Sequence, residues 1–118
     1  LARLSWPESW DGRHPETRIS LVEALPTTGR RHQIRRHLKH VAHPIIGDAT
    51  HGKGPLNRWW AERLGQQRLW LHARALEIAH PVSGQLMRFE ADWSSLTQLQ
   101  EARDWQKLLA LPGWQPIA

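Results

Sequence analysis

The residues best able to do chemistry lie close together. Between positions 30 and 40 stand Arg30, Arg31, His32, Arg35, Arg36, His37, Lys39 and His40, and the only acid from position 24 to 61 is Asp48. Residues 24–61 hold seven basic side chains (Lys53 and Arg58 complete the set) against that single carboxylate, in a chain whose net charge is +5. The excess is therefore one patch rather than a general tint. Thirteen of the sixteen basic residues are Arg, whose planar fork gives phosphate two parallel hydrogen bonds. A solvated helix face normally mixes signs. This one does not, so the chemistry indicated is recognition of a polyanion, nucleic acid first.

Other chemistries are poorly supplied. With no Cys there is no thiol nucleophile, disulfide or cysteine metal site. His37 and His40 are three residues apart and His43 comes soon after. Neighbouring arginines would repel a cation, and no further ligand completes a set, so no metal is expected. His72 and His80 read as hydrogen-bonded structural histidines. Asp48 reads as a turn residue or an arginine partner. No glycine-rich phosphate loop or nucleophilic serine motif is present, and no cofactor is called for. No apolar run approaches the roughly 20 residues that span a bilayer, so no membrane partner is expected. The absence of Cys fits the cytosol.

The elements that must position these groups can be read from periodicity. Residues 19–25 alternate as a strand. Pro26-Thr27-Thr28-Gly29 forms a turn in which Thr28 can cap the next helix. Residues 30–41 have helical spacing, with Ile34, Leu38 and Val41 on a core face and Arg35, Lys39, His32, Arg36 and His40 opposite. On that wheel Arg35 lies at the edge between core and patch, where a partly buried arginine needs a carboxylate. Arg30 and Arg31 fall in the first turn, where the helix dipole disfavours cations, so they would serve an anionic ligand. A second helix is predicted over 56–64, closed by Gly65. Strands over 69–79 and 86–91 form a hairpin with Gly84 at positive φ. A last helix starts at Ser94 or Ser95 and runs to about residue 109, before Pro112-Gly113. Residues 1–16 read as irregular. The order predicts an α+β fold, a mixed or antiparallel sheet flanked by helices.

Thr28-Gly29-Arg30-Arg31-His32-Gln33-Ile34-Arg35-Arg36-His37-Leu38 resembles the TGRxHQIRxHL motif of the RluA family of pseudouridine synthases. His43-Pro44-Ile45-Ile46-Gly47-Asp48 resembles its GHPIxGD segment. Arg68-Leu69-Trp70-Leu71-His72-Ala73-Arg74-Ala75-Leu76, with His80-Pro81 and Gly84, resembles RLxLHAxxLxFxHPxTG. Ile78 and Ser83 depart from the usual Phe and Thr. His51, where ribosomal-RNA members carry Tyr, and the Asn57-Arg58 insertion are more similar to the branch that modifies tRNA.

The resemblance implies cofactor-free isomerisation of uridine in RNA, tRNA ahead of rRNA. An aspartate of an upstream His-Arg-Leu-Asp motif attacks the flipped uridine, the glycosidic bond breaks, and the base turns and rejoins through carbon. It implies that Arg35 is the catalytic arginine that pairs with that aspartate and that Leu71 packs against the pocket. Arg30, Arg31, His32, Arg36 and Lys39 would contact RNA. No stretch here matches His-Arg-Leu-Asp, and the Tyr of the family pocket is absent. The expectation is therefore the C-terminal part of a catalytic domain, inactive alone and monomeric. It comprises residues 1–16 as an irregular opening, 19–92 as the motif-bearing core and 94–118 as the terminal helix and tail. The alternative is a stand-alone RNA-binding module without chemistry; a basic structural domain is the third reading.

Overall fold

The computed structural model describes residues 1–91 and 100–117. Its elements are β1 (Ala2–Trp6), β2 (Thr17–Leu21), α1 (Gln33–His40), α2 (Gly54–Leu64), β3 (Ala75–Ala79), β4 (Leu86–Glu90), α3 (Gln100–Leu109) and β5 (Trp114–Pro116). The fold is α+β, with its strands divided between two antiparallel sheets. The backbone groups into two units, Leu1–Leu71 with Pro112–Ala118, and His72–Leu111.

The first unit is built on a three-stranded sheet in the order β2-β1-β5. Residues 2–6, within the opening segment read as irregular, form its central strand, whereas residues 7–16 carry no regular structure, as expected. Leu4 faces Ile19 on one side and Trp114 on the other, and is 1% exposed. One inward apolar residue is too weak an alternation to show as a strand, and both pairing partners are distant in sequence. β2 begins and ends earlier than the 19–25 reading, at Thr17 and Leu21. Buried Thr17 starts it because its hydroxyl donates to the Glu8 carbonyl (2.8 Å) and accepts from the Trp10 N–H (3.0 Å).

α2 matches its predicted span closely. Pro55 stands in its first turn, and Gly65 ends it at φ 73°, where glycine meets no Cβ penalty. Asn57, Trp60 and Leu64, spaced three and four apart, are its buried residues. Trp6 packs edge-on against Trp60 and Trp59, at ring separations of 5.8 and 6.4 Å. Arg63 lies 3.6 Å over the Trp59 ring while reaching Glu8 at 2.9 Å.

α1 is a correction. It starts at Gln33 rather than 30, none of its residues is buried, and Val41 is 58% exposed instead of facing a core. Arg30 and Arg31 therefore precede the helix and do not stand in the first turn of its dipole. Thr28 does not cap it either; its hydroxyl donates to Gln33 Oε1 at 2.7 Å.

In the second unit β3 and β4 form the predicted hairpin, pairing from Ala75↔Glu90 to Ala79↔Leu86, with Gly84 at φ 71°. The strand expected over 69–79 is regular only from Ala75. His80 shapes the turn, its Nδ1 accepting from the Val82 and Ser83 N–H groups. His72 Nε2 lies 2.6 Å from the Ala91 carbonyl and Nδ1 lies 3.1 Å from Glu101, on α3. Both histidines are structural, as expected. α3 ends at Leu109, close to its predicted end, whereas the start expected at Ser94 or Ser95 falls outside the described residues. Among the described residues no helix is long and apolar enough to cross a membrane.

Candidate functional site

The centre of the site is a carboxylate that cannot be seen from solvent. Asp48 lies in the loop between α1 and α2, its side chain 0% exposed. That loop is shaped by Gly47, whose φ is 84° and where an added Cβ would fall on the Arg68 carbonyl oxygen. Only glycine lets the two backbones approach so closely. The Trp70 N–H bonds the Ile46 carbonyl at 3.0 Å and fixes the approach. Asn57, buried on α2, locks the other side: it accepts from the Gly47 N–H (2.9 Å) and donates to the Asp48 carbonyl (3.0 Å).

Asp48 grips Arg35 in a two-point clasp, Nε to Oδ2 at 2.9 Å and Nη2 to Oδ1 at 2.7 Å. Its Oδ1 also accepts the N–H groups of Thr50 and His51, at 3.0 and 2.9 Å. The Arg35 hydrogen bonds, then these backbone donors, hold the Asp48 carboxyl far below the usual carboxylate range against the opposing effect of burial. The same bond pushes Arg35 up. A carboxylate with both oxygens engaged and its charge fully stabilised is a poor nucleophile and a poor base. Asp48 is a holder of Arg35.

Arg35 is 18% exposed in its side chain, matching the edge position inferred from the helical wheel. The carboxylate that the wheel required is supplied within the chain. Its third contact is His32, whose Nε2 lies 3.2 Å from Nη1. The other His32 nitrogen, Nδ1, lies 3.1 Å from Nε2 of His51, with the rings edge-on at 5.3 Å. Burial first, then the charges of Arg35 and Arg31, the neighbouring His51 and the charge of Arg36, lower the His32 pKa. His32 also adopts the left-handed conformation (φ 52°) at the head of α1 without capping it. That backbone costs an L-residue roughly 1 kcal/mol, and strain of this kind clusters at functional sites.

The other arginines face solvent. Arg30, Arg31, Arg36 and Lys39 are exposed, so they form the open basic surface expected of them. His32 does not join them: both of its ring nitrogens are engaged, and neither is offered to phosphate. Leu71 is 37% exposed, one residue beyond Trp70, which is tied to Ile46. Among the described residues no three His, Asp or Glu side chains gather where they could hold a metal ion.

Three contributors have no part in the site as read from sequence, although His51 and Asn57 are features of the resemblance. Gln33 stitches the turn ahead of α1, its Oε1 accepting from Thr28 and from the Arg30 N–H (3.1 Å). Asn57 braces Asp48. His51 backs His32, and it had a readable signal: an Asp two and three residues before exposed N–H groups favours an Asx-type turn that brings position 51 back over the carboxylate.

The site thus combines a clasped arginine with a basic surface that has no balancing acid beyond Asp48. No family model matches the chain. It is similar, over nine tenths or more of its length, to curated proteins. The relatives in question carry the name tRNA pseudouridine synthase C. Those of Salmonella typhi and Yersinia pestis are 47% and 45% identical over 90% and 91% of this chain, and that of Vibrio cholerae is 42% identical over 98%. The chain spans only about two fifths of the length of these relatives, 38%, 38% and 43% respectively.

Proposed function

We propose that residues 1–118 are part of the catalytic domain of an RNA pseudouridine synthase acting on tRNA. The observation that carries this is the buried Arg35–Asp48 clasp, formed by two motif segments in a chain whose relatives bear that name. Arg35 is the catalytic arginine, pre-oriented by Asp48 to receive a second anionic group. The nucleophilic aspartate comes from outside these residues, because no aspartate here follows His-Arg-Leu and Asp48 is fully engaged, and the chain alone does not turn over. Leu71 lines the pocket for the flipped base. Arg30, Arg31, Arg36 and Lys39 bind RNA phosphates and offset the distortion that flipping requires. The enzyme works in the cytoplasm, as a monomer, without cofactor or metal.

One observation favours the alternative, an RNA-binding module without chemistry: the Arg35 clasp is already satisfied inside the chain. A single experiment separates the two. In the full-length protein, Arg35→Ala is expected to lower pseudouridine formation in tRNA by about a hundredfold or more, with tRNA affinity within about threefold. Arg30→Ala and Arg36→Ala are each expected to weaken binding and reduce its salt slope by about one. Normal turnover with Arg35→Ala removes the catalytic assignment, and binding without pseudouridine formation by the unmodified protein selects the module.

A further inference from the structure

Hydrogen-bond chemistry fixes more about the site than the contacts alone. A guanidinium has only donors, so His32 Nε2, 3.2 Å from Arg35 Nη1, must offer its lone pair. A neutral imidazole then carries its proton on Nδ1, which points at His51 Nε2, 3.1 Å away. His51 must accept there and keep its own proton on Nδ1. The order of donation is therefore fixed: Arg35 donates to Asp48 and to His32, and His32 donates to His51.

We propose that His32 and His51 are positioning residues for Arg35, a two-histidine relay that holds Nη1 while Asp48 holds Nε and Nη2. This rests on reading Arg35 as the catalytic arginine. Asp48 alone fixes one edge of the guanidinium; the relay fixes its remaining tilt and leaves Arg35 one defined direction in which to meet an anion. The strained left-handed backbone of His32 is what turns its ring back toward Arg35 instead of outward with Arg31 and Arg36. The relay also works only while His32 is neutral. The groups facing His32 are Arg31, Arg35 and Arg36 from its own segment and His51 from the loop before α2, and none of them is acidic. Their charge and the burial of the ring keep it neutral at neutral pH. Protonation in acid removes the Nε2 acceptor and sets an imidazolium against a guanidinium.

The test uses the full-length protein and tRNA, with kcat and KM measured from pH 5 to 8. Wild type is expected to lose kcat on acidification, at a pH below the ordinary histidine range, with one-proton steepness. His32→Gln, whose Oε1 can accept from Arg35 but does not titrate, is expected to keep most of kcat at pH 7.5 and to lose that acid limb. His32→Ala is expected to lower kcat about tenfold or more with KM for tRNA within about twofold. In histidine-labelled protein, the nitrogen NMR shifts that vanish with His32→Gln should report an Nδ1–H tautomer at pH 7.5. An Nε2–H tautomer, an acid limb that survives in His32→Gln, or full kcat in His32→Ala overturns the proposal. Absence of pseudouridine formation by wild type overturns the functional reading instead, and the nitrogen shifts still decide the relay.

Discussion

α1 and α2 belong to the same unit, are separated by a single loop, and are held in opposite ways. α2 is held by burial: Asn57, Trp60 and Leu64 are its buried residues, and Trp6 stacks edge-on against Trp60. Its ends are set by Pro55 and a left-handed Gly65. α1 has no fully buried residue, starts from a left-handed histidine and has no side-chain cap. Polar bonds fix it instead, the Arg35–Asp48 clasp and the Gln33 stitches to the preceding turn. Under the proposed function the contrast has a purpose. Burying α1 would desolvate its cations, whereas anchoring it through one arginine leaves Arg36 and Lys39 in solvent. The buried helix carries the loop that carries Asp48, so the packed element supports the charged one through Asn57.

The largest effect should fall on the packed side. Trp60 is 0% exposed, and Trp60→Ala is expected to cost about 3–5 kcal/mol, seen as a lower urea midpoint with an unchanged slope. A loss below about 1 kcal/mol would mean that α2 is not the anchor.

Asp48 joins the two sides. Asp48→Ala leaves the Thr50 and His51 N–H groups without their acceptor, which is expected to cost about 2 kcal/mol at neutral pH. The folded carboxyl is held below its ordinary range, so the folded state prefers the anion. The stabilisation is complete above about pH 5 and drains away as pH falls below that. The gap in urea midpoint between wild type and Asp48→Ala should therefore narrow from about pH 5 to about pH 2.5. A gap that widens in acid would mean that Asp48 is held as the neutral acid.

The same contrast explains how much of the molecule is legible in its sequence. α2 is legible because burial leaves periodic apolar residues, and because proline and glycine mark helix ends through backbone geometry alone. The hairpin is legible through His80, Pro81 and Gly84. The span of α1 is not, because Ile34, Leu38 and Val41 imitate a core stripe, and nothing local shows that Val41 has no neighbour to cover it. β1 and β5 escape because their pairing is non-local and each is short. In the site, the position of Arg35 and the two roles of Asp48 can be read from spacing and charge scarcity. Asn57, Gln33 and the turning of His32 away from solvent cannot, since each depends on a backbone direction that only the folded loop supplies.

The smallest effect is the sharpest test of the contrast. Val41 completes the apparent apolar stripe of α1, so a packed helix would lose about 0.5–1.5 kcal/mol or more on truncating a buried β-branched side chain. At 58% exposure Val41 has most of its surface in water already, and substitutions at such positions usually stay within about 0.5 kcal/mol. Val41→Ala also exchanges a β-branched residue for the best helix former, and it stands just past the last turn, where propensity favours the change slightly if at all. The expected result is a urea midpoint indistinguishable from wild type. A clear loss would show that α1 is held by packing, and the polar clasp would then no longer be what orders it.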